Sequence, residues 1–333
     1  MRTGAAALVV LLAPTAATAQ TRPPIIDMHL HAEPLEAFVG GGPLCTSDQP
    51  IVFPGWDPRT PLTLPDAVTC PAPIRSPATD DEVMRQSLAM LDRYNIWAVT
   101  AGPADRVAAW SRAARGRIIR AAAFSEATTP AAEYRRRFEA GEFAVFAEIT
   151  AQYRGLRLDD PSYDPYFALA EELDIPVGVH LGEGPPGGAH LMGGPAESPY
   201  RAALTSPLQL EGVLVRHPKL RLYVMHYGSP LVDEMIALLY SHPQVYVDIA
   251  QNDWGFPRAH FYGQLRRLID AGFEQRIMWG SDQMVWPDAI PAAIRTIEEA
   301  PFLSEAQKRA IFYDNAARFL RLSAAEIARH HGR

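Results

Sequence analysis

The feature that most constrains this chain is the stretch 27–31, Asp-Met-His-Leu-His, which closes the first strand-like run at 24–31. Successive side chains of a β-strand point to opposite faces, so Asp27, His29 and His31 share one face. The Cα atoms of the two histidines then lie roughly 6–7 Å apart, close enough for both imidazoles to bind one metal ion. The pattern therefore predicts a strand that ends in a metal site.

Seven further strand-like runs follow, and helical patterns alternate with them. The strand-like runs are 96–100, 117–124, 144–150, 175–181, 220–226, 244–249 and 276–282. The helical patterns are 79–94, 104–115, 130–140, 163–173, 207–216, 230–240 and 258–271. Several runs are apolar almost throughout, as is typical of a parallel sheet that helices cover. Eight such units predict an α/β fold of one domain, a (β/α)8 TIM barrel over 20–333, in preference to an open doubly wound sheet. No Gly-x-Gly-x-x-Gly pattern follows a strand, which weakens the dinucleotide-binding alternative.

Metal-binding residue types stand at the ends of four later strand-like runs. They are Glu148, His180, His226 and Asp282. In TIM barrels the carboxyl ends of the strands meet at one rim and build the active site, so we expect these side chains to join His29 and His31. Each residue alone has an ordinary explanation, as a core histidine, an ion-pair partner or a turn cap, and only the combination favours a site. Imidazole and carboxylate without thiolate suit Zn²⁺, with Mn²⁺, Fe²⁺ or Co²⁺ as alternatives. We expect Asp27 to orient a histidine rather than to bind the metal.

Residues near the strand ends are candidates for substrate contact. Tyr153 and Arg154 follow the fourth run, and Arg154 or Arg258 could bind a substrate carboxylate. An apolar pocket wall and ordinary core packing both remain open for five aromatic residues: Tyr153, Trp254, Phe256, Trp279 and Trp286.

The remaining histidines carry weaker expectations. His190 lies in a glycine-rich loop and is a candidate substrate contact, whereas His217 and His242 precede proline and are expected in turns. His330 and His331 are expected in a frayed C-terminal tail.

The first nineteen residues have the pattern of a secretory signal peptide. Arg2 precedes an apolar run at 5–13, and residues 17–19 form a small-x-small cleavage site. We expect a mature chain that begins near Gln20 and is exported, most simply to a bacterial periplasm; an uncleaved anchor is the alternative. The formal net charge of −7 favours no polyanionic partner. We expect a small-molecule substrate, no nucleic acid, and no membrane contact after cleavage, and homo-oligomerisation stays open.

The two cysteines, Cys45 and Cys70, lie in an irregular insertion at 34–77 that is rich in proline and glycine. Such a length is unusual inside a compact domain and indicates a lid, a site wall or a subunit contact. Export favours a disulfide, which would close a loop of about 25 residues, for roughly 3–4 kcal/mol by loop entropy. Two unrelated buried thiols are the alternative.

Together these motifs resemble the metal-dependent amidohydrolase superfamily, in particular its amidohydrolase family 2, the decarboxylase-like branch. The motifs that carry the resemblance are Ile-Ile-Asp-Met-His-Leu-His, Ala-Glu-Ile, Val-His-Leu-Gly, Met-His-Tyr-Gly-Ser-Pro, Trp-Gly-Ser-Asp and Ile-Phe-Tyr-Asp-Asn-Ala-Ala-Arg-Phe-Leu. The resemblance implies a distorted (β/α)8 barrel with one or two divalent metals that activate a water.

The resemblance also implies roles for the site residues. His29, His31 and Asp282 would hold the first metal. Many two-metal members have a carboxylated lysine on the fourth strand, where this chain has Glu148. A glutamate can also bridge two metals, with His180 and His226 on the second. In one-metal members the histidine of the fifth strand joins the first metal, and the histidine of the sixth helps to activate water.

These residues lead to one expected function and one alternative. We expect an exported hydrolase that cleaves an amide, ester or lactone bond, with Asp282 and His226 as catalytic residues. The alternative on the same barrel is a metal-dependent decarboxylase or hydratase of a small carboxylic acid. A binding protein without activity is disfavoured, because all six ligand positions are filled.

Overall fold

The computed structural model describes residues 22–38, 40–191 and 199–332. Eight parallel strands form one sheet in sequential order, β1 next to β2 and so on to β8. They are β1 Ile25–His31, β2 Ile96–Ala101, β3 Ile118–Ala122, β4 Val145–Ile149, β5 Val177–His180, β6 Leu222–Met225, β7 Val245–Asp248 and β8 Ile277–Met278. Two backbone hydrogen bonds join the loop directly after β8 to β1: Met28 N donates to Trp279 O at 3.0 Å, and Asp282 N to His29 O at 2.6 Å. The sheet is therefore a nearly closed barrel, and the predicted single-domain TIM barrel is confirmed.

Helices alternate with the strands along the chain. The α-helices of the described residues are α1 Leu64–Ala67, α2 Asp80–Tyr94, α3 Ala104–Ala113, α4 Ala131–Glu139, α5 Asp164–Glu172, α6 Gly188–Leu191, α7 Glu211–Arg216, α8 Val232–Ser241, α9 Asn252–Gly255, α10 Arg258–Asp270, α11 Ala289–Glu298, α12 Glu305–Arg309, α13 Asn315–Phe319 and α14 Ala324–His330. A π-helical turn, Ala310–Asp314, joins α12 to α13. Short 3₁₀ helices are Leu35–Phe38, Ala151–Arg154, Pro161–Tyr163, Ala202–Thr205, Pro207–Leu210, His226–Gly228 and Glu274–Arg276.

Helix α2 shows how local sequence sets these boundaries. The hydroxyl of Thr79 caps the helix by accepting the Glu82 N–H at 3.3 Å. Val83 and Leu91 bury against the barrel at helical spacing, and Asn95 ends the helix in the left-handed conformation.

Strands β3 to β8 all end before the predicted runs do, and in β6 and β8 the difference affects residues of the candidate site. β6 ends at Met225 and β8 at Met278, whereas the predicted runs continue to His226 and Asp282. Both residues have a left-handed backbone, with φ of +59° and +44°, which is incompatible with an extended strand. The strand boundaries predicted there were therefore wrong, although the order of the elements was right.

In its described residues, 34–38 and 40–77, the insertion contains two short helices and two isolated β-bridges, Leu44 to Ile74 and Val52 to Thr69. Between these bridges, Cys45 and Cys70 form a disulfide with Cα atoms 5.8 Å apart, which confirms the predicted pairing.

The C-terminal tail differs from its prediction. A capping box of Ser323 and Glu326 starts α14, and His330 is buried, with its ring stacked on Trp97 at a centroid distance of 4.0 Å. The predicted frayed end is therefore wrong for His330, because the packed aromatic surface outweighs the tendency of a chain end to fray. His331 also packs its ring near Tyr313, at 5.3 Å.

The other sequence predictions concern two histidines in turns, membrane contact and a signal peptide. His217 and His242 are the C-cap residues of α7 and α8, as expected of residues that precede proline. No helix in the described part of the chain is long and apolar enough to cross a membrane. The signal peptide predicted at 1–19 lies outside the described residues.

Candidate metal centre

The six residues predicted to form a site converge at the carboxyl ends of the strands. On one side of Glu148 are the two histidines of β1: His29 Nε2 lies 3.6 Å from Oε1, and His31 Nε2 lies 3.6 Å from Oε2. Asp282 closes this side, with Oδ1 3.0 Å from His31 Nε2 and 3.7 Å from His29 Nε2. Two imidazoles and two carboxylates therefore face one point.

The other side of Glu148 carries a second group of donors. His180 Nδ1 is hydrogen-bonded to Glu148 Oε1, and His226 Nε2 lies 3.0 Å from His180 Nδ1 and 3.7 Å from Glu148 Oε1. Glu148 thus belongs to two sets of three possible ligands, one with His29 and His31 and one with His180 and His226.

An unpaired ring nitrogen and the distances between the possible ligand atoms both fit a bound divalent cation. His29 Nε2 is buried and has no hydrogen-bond partner among the described residues. Donor separations of 3.6–3.7 Å are too long for hydrogen bonds. They are near the edge of a tetrahedron around a metal, about 3.3 Å for bonds of about 2.0–2.1 Å. Two buried carboxylates also need positive charge nearby, which a metal supplies.

The carboxylates are held in their ionised forms. Burial raises the pKa of Glu148, but the charges of His180 and His29 outweigh burial and hold that pKa well below its usual range. Burial likewise raises the pKa of Asp282, and His29 and His31 reverse the effect, so the net shift is downward. Burial is the main reason that the pKa of His180 falls below its ordinary value, whereas at His29, His31 and His226 the neighbouring carboxylates outweigh burial and raise the pKa.

Asp248, at the end of β7, orients the ring of His29 and binds the backbone of His226. Its Oδ2 lies 3.2 Å from His29 Nδ1, and its Oδ1 accepts the N–H groups of His226 at 2.8 Å and Ala250 at 3.2 Å. His226 Nδ1 lies 2.9 Å from the Ala250 carbonyl oxygen, which only accepts, so Nδ1 carries a proton and Nε2 faces the centre.

The sequence analysis gave this orienting role to Asp27, and the structure corrects it. The Oδ1 of Asp27 accepts the backbone N–H groups of His29 and Ser281, each at 2.9 Å, so Asp27 joins β1 to the loop after β8 and orients no ring. The sequence contained one signal that could have identified Asp248 as a site residue. It stands near the end of the seventh strand-like run, and the other site residues stand at the ends of other runs.

Two glycines make room for the imidazoles. A Cβ atom at Gly280 would lie 2.8 Å from His29 Cβ, and one at Gly182 would lie 3.0 Å from His226 Cβ. Larger residues there would push these histidines out of place.

Of the predicted substrate contacts, Tyr153 lies near the centre, whereas Arg154 and Arg258 form ion pairs with acidic residues. The Tyr153 ring packs against His180 at 4.6 Å, and burial, with Glu148 and Asp282 nearby, raises the pKa of Tyr153 well above its usual value. Arg154 pairs with Glu126, and Arg258 pairs with Asp48 and Glu299.

The other aromatic candidates lie in two different environments, the core and the wall of a cavity. Trp254, Trp279 and Trp286 are buried in the core, so for them ordinary packing is the correct reading. Phe256 lines a cavity beside the centre, and His190 packs on Trp56 of the insertion at 4.8 Å.

A TIM barrel with buried histidines and carboxylates at the carboxyl ends of its strands defines a class of metal-dependent enzymes. Within that class, the family model described as amidohydrolase matches residues 26–322. The chain therefore belongs to the amidohydrolase family and is an enzyme of that superfamily. Among functionally curated proteins, none matches the sequence significantly.

Several solved structures share the fold. A dihydroxybenzoic acid decarboxylase from Polaromonas sp. JS666, solved with manganese, has a TM-score of 0.59 at 14% identity, over 92% of this chain and 99% of its own. A probable 2-pyrone-4,6-dicarboxylic acid hydrolase from Acinetobacter baumannii gives 0.53 at 16% identity, over 90% and 99%. The 5-carboxyvanillate decarboxylase of Sphingomonas paucimobilis gives 0.51 at 18% identity, over 71% and 82%. At such identities these likenesses show the fold alone.

Proposed function

We propose that this protein is a hydrolase that uses two divalent metals, with Zn²⁺ as the first candidate, to cleave an ester, lactone or amide bond of a small molecule. The observation that carries the proposal is the sharing of Glu148 between two sets of imidazole donors. His29, His31 and Asp282 would hold one metal, His180 and His226 the other, and Glu148 both. Bound there, the metals would lower the pKa of water and polarise the substrate carbonyl.

The residues of the chain supply the proton transfers. Asp282 is ionised and lies at the rim beside His31, so it can accept a proton from the attacking water and deliver it to the leaving group. His226 is fixed by Ala250 and Asp248, which keeps its Nε2 directed at the reacting atoms. The Tyr153 phenol stays protonated, because its pKa is raised, and it can donate a hydrogen bond to a substrate oxygen.

Decarboxylation or hydration on the same barrel is the second candidate. The names of two structural neighbours favour decarboxylation. The pairing of Arg154 and Arg258 with acidic residues weighs against it, because both candidate partners for a substrate carboxylate are already neutralised.

Product analysis separates the two reactions. Zinc-loaded and manganese-loaded protein is incubated in ¹⁸O-water with neutral esters, lactones and amides, and separately with hydroxybenzoic acids. We expect one ¹⁸O atom in the acid product of the first set and no release of CO₂ from the second. Release of CO₂ without turnover of the first set would reject the hydrolase.

We also propose that the mature chain is exported to an oxidising compartment, with the disulfide between Cys45 and Cys70 as the supporting observation. The intact mass of the protein purified from its native source tests this. A mass that corresponds to a start near Gln20 is expected, and a mass that includes Met1 would contradict it.

A further inference from the structure

A cavity of about 340 Å³ lies beside the metal centre, between loops from three parts of the chain. Phe53 comes from the insertion, Glu183 and the segment 184–189 follow β5, and Phe256 follows β7. Tyr200 completes the wall and leads to the centre, because its ring lies 6.0 Å from that of Tyr153, which itself packs on His180. The cavity therefore borders the metal centre across the rings of Tyr200 and Tyr153.

The residues that line the cavity are mainly apolar, and three of them are aromatic: Phe53, Tyr200 and Phe256. The rings of Phe53 and Phe256 lie 5.9 Å apart at an angle of 45°. Phe53 is 45% exposed, so nearly half of its surface is not covered by the protein itself. An exposed aromatic ring at the entrance to a cavity is typical of a ligand-binding wall.

The charge of the lining is negative. Glu183 is the one acidic residue among the described lining residues, and no cation is among them. Its carboxylate accepts hydrogen bonds from Ser229 Oγ at 2.6 Å and Asn252 Nδ2 at 3.4 Å, which fix it at the cavity. A negatively charged ligand group would meet repulsion here without a compensating cation.

The insertion holds Phe53 at this position. Val52 N donates to Thr69 O at 3.0 Å, and the neighbouring Cys70 is tied to Cys45 by the disulfide. The segment that follows Cys45 is anchored to the barrel, because Ser47 N donates to Trp254 O at 2.6 Å. The aromatic wall is therefore tethered to the barrel that carries the metal centre.

We propose that this cavity is the specificity pocket of the enzyme and binds a neutral aromatic or other flat apolar group of the substrate, against the rings of Phe53 and Phe256. Glu183 excludes carboxylated groups from the same place. This inference rests on the proposed function, because it takes the metal centre as the position of the cleaved bond.

Hydroxamates, which chelate divalent metals, test the pocket without a known substrate. Binding of acetohydroxamate, 3-phenylpropanohydroxamate and its ring-carboxylated analogue to the zinc-loaded full chain is measured by isothermal titration calorimetry. We expect the phenyl compound to bind about ten- to hundredfold more tightly than acetohydroxamate, as burial of an aromatic side chain predicts. The carboxylated analogue should lose most of this gain.

Substitutions at the cavity then identify the residues that cause the preference for the phenyl compound. Phe53→Ala should remove most of the phenyl preference while acetohydroxamate binding is unchanged. Val52→Ala is the matched control, because Val52 is also exposed, at 55%, and does not line the cavity, so this variant should keep the preference. Glu183→Gln should restore binding of the carboxylated analogue.

The outcomes distinguish the two proposals. Equal binding of acetohydroxamate and the phenyl compound, or tighter binding of the carboxylated one, would reject the pocket and leave the metal centre standing. Failure of all three compounds to bind would reject the metal centre, and the pocket proposal would fall with it.

Discussion

His226 and Asp282, two residues of the proposed centre, have a left-handed backbone that residues with a side chain rarely adopt. Such a conformation costs on the order of 1–3 kcal/mol and persists only where surrounding contacts hold it. Those contacts are present. The His226 N–H is bound by Asp248, and the Asp282 N–H donates to the carbonyl oxygen of His29. The fold thus fixes His226, a proposed metal ligand, and Asp282, the residue to which we assign proton transfer.

Replacement of Asp282 by Asn tests its proposed role. The amide keeps the shape of the side chain but cannot take a proton from water, so we expect kcat to fall by at least about a hundredfold. Metal content, measured by elemental analysis, should stay near that of the parent protein. Unchanged turnover would remove Asp282 from catalysis.

A second residue-scale prediction concerns Asp248. In Asp248→Asn, the side-chain oxygen can still accept the backbone N–H groups, and the amide NH₂ then faces His29 Nδ1. This favours the tautomer of His29 that has its proton on Nε2, so we expect metal affinity to fall by about 10- to 100-fold. Competition with a chromogenic chelator measures the affinity. Asp233→Asn, at an aspartate whose side chain is 85% exposed, is the control, and an equal effect of both changes would refute the orienting role.

At the scale of elements, local patterns predicted which elements form better than where they end. The Thr79 cap and the apolar spacing of α2 identified that helix, and the alternating Asp-Met-His-Leu-His identified β1. The ends of β6 and β8 were misplaced because positive φ values depend on partners far away in the sequence. The role of Asp248 was missed for the same reason, since its contact with His29 joins residues 219 positions apart.

Helix α14 should respond to acid. Burial, with the charge of Arg329 as a smaller cause, lowers the pKa of His330 to about 4 from its ordinary value of 6.5. The neutral ring therefore stabilises the fold fully above pH 6.5, and that contribution is lost as the pH falls from 6.5 towards 4. We expect the melting temperature to fall by a few degrees over this range, beyond the fall in a His330→Phe variant, which cannot be protonated. A constant difference between the two proteins at every pH would contradict this account.

The insertion should depend on its disulfide. With both cysteines changed to serine, residues 49–69 lose a cross-link that, through loop entropy, stabilises the fold by roughly 3–4 kcal/mol. We expect limited proteolysis within this segment to become at least about tenfold faster, since local opening governs cleavage of folded proteins. Binding of 3-phenylpropanohydroxamate should weaken as well. Equal cleavage rates for the two proteins would show that the segment is held by its other contacts.

At the scale of the whole molecule, the barrel and its six convergent side chains followed from the spacing of strand-like runs. All eight strands are parallel and buried, so their carboxyl ends meet at one rim, and any donor at a strand end lies there. The cavity lined by Phe53 did not follow, because it depends on how the irregular insertion packs over the β5 and β7 loops. No periodic pattern in a sequence specifies such packing.

The metal content of the chain tests the central claim most directly. The mature protein is purified from its native source without chelators and analysed by elemental mass spectrometry, beside Glu148→Ala and the control Glu305→Ala, whose parent side chain is 90% exposed. Because both donor sets share Glu148, we expect two divalent metals per chain in the parent protein and the control, and at most one in Glu148→Ala. A parent protein that holds no stoichiometric metal, or a single metal that Glu148→Ala leaves unchanged, would contradict the account.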